Sequence, residues 1–425
     1  MTLMLIGVMV LIGLGMPIAF AVLIPCALYF VAAGLPEALF AQRIASGTAS
    51  FPMLAIPFFV LAGEIMQRGG IARRLIDVAR VSVGHMRGGL AQVGVLGGAL
   101  ISAVSGSATA DTAILSKTVS REMVREGYPR GFAASVAAVA GVLGPLIPPS
   151  IMMILYGLMA EVSIGRLFMA GVLPGIVVAG ALMMANLLVM KQHAIEIPLQ
   201  PKATAGDLLQ AVKRGFWALM FPVFVWVGLR GGLFTPTELG AFVALYCLVV
   251  SVFVYKELTL KELPAIFQES ALLTAIIMFI LASSTGLNYA IAWERLPQAI
   301  ANWFLSASDN KFVILMIINV VLLLLGLALE GPPLLIILTP ILVPLMTGLG
   351  VDLVHFGVIL VFNLTLGALT PPVATLIFVA STIVGCTSSE FMRYFWLIFA
   401  MLLLALLLIT YVPAISLFLP NLIYG

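Results

Sequence analysis

Charge is the scarcest property of this chain. Only 9% of its 425 residues are Asp, Glu, Lys or Arg, where a soluble protein carries about 25%. The longest polar stretch, 191–214, reads as a linker and leaves no room for a soluble domain. Cysteine is as sparse. Cys26, Cys247 and Cys386 stand apart in or beside apolar segments, without metal or redox spacing, and read as small hydrophobes. His85, His193 and His355 are scattered, so neither a transition-metal cluster nor an enzyme's nucleophile–base pair is expected. No GxxxxGKS or GxxxxGKT motif occurs, which argues against an ATP-driven pump. No cofactor is expected. The net charge of +3 sits in a few loops and says little about partners, and nucleic acid is not expected among them.

What is present is apolar. Hydrophobic residues make up 62% of the chain and mean hydropathy is +1.20. Runs near the ~20 residues needed to cross a bilayer recur along its length. The fold class is therefore an all-α polytopic membrane protein in contact with lipid; a β-barrel would show short alternating segments instead. The first apolar run, "MTLMLIGVMVLIGLGMPIAF", has no basic residue before it and no clear cleavage site, so it reads as a retained span. The break at "GMP" suggests that residues 1–33 form two short spans, with both termini outside.

Basic loops set the topology, because cytoplasmic loops are enriched in Lys and Arg. Arg68, Arg73, Arg74, Arg80 and Arg87 form one such loop, and Lys117, Arg121, Arg125 and Arg130 the next. The apolar stretch between two inside loops must enter the membrane and return. Its centre, "SAVSGSATADTAIL" (102–115), carries hydroxyls and the carboxylate of Asp111 where lipid offers no partner. Residues 89–116 are thus predicted to form a re-entrant hairpin opening to the cytoplasm. Spans 131–160 and 167–190 follow, then the inside segment 191–214, spans 216–233 and 237–255, and an exit over 271–291. The block 312–350, with the turn-prone "LEGPP", reads as a second hairpin entered from outside. Spans 356–382 and 394–419 complete the chain.

The two halves match. "AIPFFVLA" (55–62) pairs with "AIIMFILA" (275–282), and "GPLIPPSIMMILYG" (144–157) with "GALTPPVATLIFVA" (367–380). Each pair brackets a hairpin, with tips at Ser105–Asp111 and Glu330–Pro333. One hairpin opens inside and the other outside, so the repeat is inverted: 1–190 and 216–425, joined by a linker and surface helix over 191–215. Inverted repeats with broken helices characterise secondary transporters, whose sites sit near the midplane. Each Pro-Pro pair removes amides and frees carbonyls for a cation, while half-helix ends offer amides to an anion. An ionisable group in a membrane is a functional candidate by default. Asp111 is expected to face the interior, and Glu330, Asn363 and Thr109 are candidate contacts. Glu64 and Glu161 are read as interface residues. The stretches 71–86 and 198–220 carry helically spaced apolar residues among basic ones and read as scaffold on the cytoplasmic surface.

Four stretches, "GVLGPLIPPSIMMILYG", "SAVSGSATADTAIL", "GGLFTPTELGAFVALYCLVVSVFVYKELTLKEL" and "FNLTLGALTPPVATLIFVAS", resemble the large membrane subunit (DctM type) of TRAP transporters, the tripartite ATP-independent periplasmic systems. The resemblance runs over essentially the whole chain. It implies a bacterial inner-membrane Na⁺/solute symporter of elevator type. Its implied partners are a small four-helix membrane subunit (Q type), expected as a separate chain, and a periplasmic substrate-binding protein (P type) that delivers an organic acid such as a C4-dicarboxylate or sialic acid. Carried onto matching positions, sodium sites are implied at Ser105, Gly106, Ser107, Asp111, Gly144 and Pro145, and at Gly331, Gly367, Thr370 and Pro371. Thr109, Pro148, Glu330 and Asn363 are the implied substrate contacts. The alternative is a stand-alone sodium-coupled carrier of the divalent anion symporter type; an integral membrane enzyme and a channel fit less well.

Overall fold

The computed structural model describes residues 1–425 except 231–232, 308–309, 328 and 372–373. Every regular element among the described residues is helical. Among the described residues, six helices are long and apolar enough to cross a bilayer: Ile164–Gln192, Ala205–Arg230, Pro236–Val254, Leu263–Trp293, Gly331–Gly348 and Ser388–Tyr411. The pair Glu37–Ser46 and Phe51–Arg68, bent by 52°, counts as a seventh if read as one span. The chain is a polytopic α-helical membrane protein.

Local chemistry explains how the first hairpin turns. Helix Gly89–Ser105 ends at Gly106, whose φ of 61° is the left-handed value that only glycine adopts without strain. The next residue, Ser107, is extended, and its hydroxyl accepts from the Ala110 amide to start helix Ala108–Leu115. Two residues therefore reverse the chain. In the second hairpin, helix Lys311–Gly326 runs up to the turn. Glu330 precedes helix Gly331–Gly348, where Pro332 and Pro333 occupy first-turn positions that need no amide.

Each hairpin is followed by an interrupted helix. Helix Arg130–Ala140 tightens into a short 3₁₀ segment, Gly141–Leu143, and resumes as Ile151–Met159 under a Ser150 cap. In the second half, helix Leu353–Gly367 stops and Thr375–Val384 resumes. Pro372 and Val373 of that break lie outside the described residues.

Several boundaries differ from expectation. Residues 205–215 are not a separate surface helix; they are the first turns of Ala205–Arg230, because Lys213 and Arg214 are spaced so that the helix runs through them without exposing its buried face, Ala211, Gly215 and Ala218. Only 193–204 is non-helical there. The final span starts earlier, at Ser388, under a Thr387–Glu390 capping box, and ends at Tyr411, since Pro413 restarts the chain as Pro413–Tyr424. Residues 1–33 form two helices, Thr2–Gly13 and Ile18–Ala32. Helix Ile71–Val83 buries Ile71, Leu75, Ile76 and Ala79 and leaves Arg73 outward.

Ion pairs tie this surface helix to its neighbours. Arg74 meets Glu257 at 2.7 Å and stacks on the Tyr255 ring, while Arg80 forms a two-pronged pair with Glu122 beyond the first hairpin. Arg68, at the end of helix Ala55–Arg68, pairs with Glu269.

Candidate functional site

Both hairpin tips and both helix breaks open on one cavity of roughly 510 Å³. Its wall includes Ser105–Ala110 from the first tip and Pro145, Ile151 and Met152 from the first break. The second half adds Gly326, Leu329–Pro333, Leu364, Thr365, Ala368, Thr375 and Leu376. Helices Ala55–Arg68 and Leu263–Trp293 close the other side.

Close backbone contact holds these parts together. A Cβ on Gly106 would sit 2.6 Å from the Pro149 carbonyl, so the first tip lies directly on the first break. A Cβ on Gly144 would meet Asp111 Oδ2 at 2.8 Å and the Ala108 amide at 3.0 Å. Gly326 and Gly367 face each other: a Cβ on Gly367 would lie 2.6 Å from Gly326 Cα. No larger residue fits those approaches without moving a backbone.

Two kinds of backbone group face the cavity. Four helices begin there, Ala108–Leu115, Ile151–Met159, Gly331–Gly348 and Thr375–Val384, each presenting the positive end of its dipole. Among the described residues, no backbone amide donates to the carbonyls of residues 103–106, at the end of a helix, or of 144–149, in the first break. Such orphaned oxygens need a partner, and a hard cation is one. Among the described residues, Glu64 and Glu330 are the ionisable side chains on the cavity wall, and no Lys, Arg or His lines it.

Asp111 lies behind this wall, not on it. It is 0% exposed and absent from the lining. Ser102 donates to its Oδ2 at 2.8 Å and Ser105 donates to its Oδ1, so the carboxylate ties together the two arms of the first hairpin. No basic side chain pairs with it among the described residues. A buried carboxylate served only by hydroxyls is costly.

Of the predicted site residues, Ser105, Gly106, Ser107, Thr109, Pro145, Glu330 and Gly331 line the cavity. Gly144 and Gly367 sit just behind it as packing contacts. Thr370 turns its hydroxyl back to the Leu366 carbonyl at 3.0 Å, and Pro371 is exposed. Pro148 also lies off the wall. Asn363 does not reach the cavity: its Nδ2 donates to the Asn319 side chain at 2.9 Å, and Asn319 donates in turn to Thr410 at 3.0 Å. A mid-helix Asn finds a neighbouring helix more readily than a ligand when that neighbour offers a carbonyl.

Sequence reasoning read Glu64 as an interface residue and passed over Gln67 and Met152; all three line the cavity. Nothing local marks them. Their exposure to the cavity follows from the way helices distant in sequence cross.

A family model described as "Tripartite ATP-independent periplasmic transporter, DctM component" matches residues 5–415. The chain is 40% identical over 373 residues to the C4-dicarboxylate TRAP transporter large permease protein DctM of Pseudomonas aeruginosa, covering 87% of this chain and 86% of that one. The protein with the same description in Rhodobacter capsulatus is 37% identical over 424 residues, covering 96% of each. The sialic acid TRAP transporter large permease protein SiaM of Vibrio cholerae is 35% identical over 412 residues, covering 97% of this chain and 96% of that one.

Proposed function

The chain belongs to the DctM family of tripartite ATP-independent periplasmic transporters, and from that membership we propose that it is the carrier subunit of a sodium-coupled importer of organic acids. The family consists of transporter permease subunits, not enzymes, and the chain is a multi-pass protein of the bacterial inner membrane. Its partners in this reading are a small four-helix membrane subunit and a periplasmic protein that delivers the acid. The names of its relatives, which carry C4-dicarboxylates or sialic acid, suggest a carboxylate of that range.

One observation carries the reading. Four helix N-termini meet in a cavity without a single basic side chain. An organic acid there is held by main-chain amides and helix dipoles. Its remaining charge calls for a co-bound cation. The orphaned carbonyls of 103–106 and 144–149 and the Ser105 hydroxyl provide the oxygens for Na⁺ beside the first tip. Asp111, fixed behind them, contributes a negative field and takes the Ser105 hydroxyl hydrogen away from the cation; the Ser105 oxygen accepts from the Ser107 amide at 3.3 Å and keeps one lone pair for Na⁺. The inverted repeat read from the sequence then supplies the motion: hairpins and broken helices travel together against helices Ala55–Arg68 and Leu263–Trp293, as in an elevator.

The test is uptake into liposomes holding the complex with its small subunit and binding protein. Labelled succinate and N-acetylneuraminate would be supplied with and without an inward Na⁺ gradient. Uptake of either that requires both Na⁺ and the binding protein is expected. Sodium-independent uptake would overturn the coupling, and uptake without the binding protein would mark a stand-alone carrier.

A further inference from the structure

The cavity wall contributed by helix Ala55–Arg68 is unlike the rest. It places one carboxylate, Glu64, and one amide, Gln67, opposite the hairpin tips. These residues are three apart, so they share a helix face. Gly63 beside them touches the first tip: a Cβ there would lie 3.6 Å from the Ser105 carbonyl. The cation nearest in sequence, Arg68, is committed to Glu269, and Glu64 has no hydrogen-bond or ion-pair partner among the described residues.

Position along the membrane adds a second constraint. Glu64 lies one turn before Arg68, where the chain enters its first strongly basic loop. The cavity residues of the opposite helix, Leu273–Ile280, occupy the middle of Leu263–Trp293, which follows Lys256 and Lys261. Basic loops mark the cytoplasmic side. Helix Ala55–Arg68 therefore lines the cavity with its cytoplasmic half against the middle of Leu263–Trp293, which places Glu64 toward the cytoplasmic mouth.

Resting on the sodium-coupled reading above, we infer that Glu64 acts as a charge gate at the cytoplasmic exit, its negative field holding the coupling cation in the cavity while the hairpins face it and repelling organic acid that would rebind without that cation. Among the described residues the cavity lining carries no positive side chain, and the nearby Arg68 and Glu269 offset each other, so the carboxylate of Glu64 sets the sign of the field at the mouth. Glu64 belongs to the stationary wall. It faces the tips only when they stand at the cytoplasmic end, so its effect on binding is confined to that state.

The experiment uses the purified complex and two probes, ²²Na⁺ for equilibrium binding and succinate for sodium-free binding read by thermal shift. Glu64→Gln is expected to weaken Na⁺ binding about three- to tenfold, the range for removing one partly hydrated charge several ångströms from a cation. It should also strengthen sodium-free succinate binding, while Glu64→Asp stays near wild type. Because Gln67 shares the face, Glu64→Gln combined with Gln67→Glu should restore Na⁺ affinity, which a lost packing contact would not do. Wild-type Na⁺ affinity in Glu64→Gln, or failure of the swap to restore it, overturns the gate and leaves sodium coupling standing. Absence of Na⁺ binding in the wild type removes the coupling and the gate together.

Discussion

At the residue scale, Asp111 is the most exposed to test. Its two oxygens accept from Ser102 and Ser105 in a site closed to water. Asp111→Ala leaves two buried hydroxyls without their acceptor and opens a small void, which should cost about 2–4 kcal/mol. Thermal unfolding would register that loss, and Na⁺-driven uptake should fall to background. Asp111→Asn keeps the shape but turns one acceptor into a donor, so stability should suffer less than sodium dependence. Gly106→Ala separates backbone from side-chain effects. It forces a left-handed residue and drives a Cβ against Pro149. A cost of about 1–3 kcal/mol is expected, together with a raised half-saturating Na⁺ concentration in the uptake assay.

At the element scale, the second hairpin meets its broken helix at Gly326 and Gly367, with nothing between the two backbones. Either glycine changed to Ala should destabilise by about 1–3 kcal/mol. The double variant should cost less than the sum, because helices already pushed apart by one methyl accept the second. Melting temperatures of the four proteins in a double-mutant cycle would check this. The hairpins were legible in sequence because small and polar residues cannot sit in an apolar run without a turn: "SGS" and "EGPP" announce themselves. The break in each half was legible from Pro-Pro. What was not legible is which side chains the elements bring together. Asn363 was read as a substrate contact because it is polar and mid-membrane, yet Asn319, on another helix, takes its amide. The onset of helix Ala205–Arg230 was missed for a related reason: Lys213 and Arg214 lower the local hydropathy without breaking the helical period.

At the scale of the whole molecule, one surface helix connects the cavity wall to the parts that move in the proposed elevator cycle. Ile71–Val83 holds Glu257 through Arg74 near its start and Glu122 through Arg80 near its end. The Arg80–Glu122 pair is only partly buried, with side-chain exposures of 37% and 31%, so its equilibrium worth is below about 1 kcal/mol. Arg80→Glu or Glu122→Arg alone should scarcely move the melting temperature but should slow transport, since the helix then no longer follows the hairpin. Exchanging both charges should recover the rate. A rate that ignores all three variants would detach this helix from the transport cycle.

The absence of basic side chains from the cavity has a bearing on how such a carrier changes its cargo over evolutionary time. Main-chain amides are encoded by no particular codon. Short of a change to or from proline, a point mutation cannot add or remove them, so the anchor proposed for the acid group is buffered against drift. Innovation is left to the apolar contour formed by residues such as Met152, Leu329 and Ile276, where one substitution alters the length or girth of what fits. A lineage can thus acquire a new carboxylate by resculpting a wall while its grip on the carboxyl head stays the same.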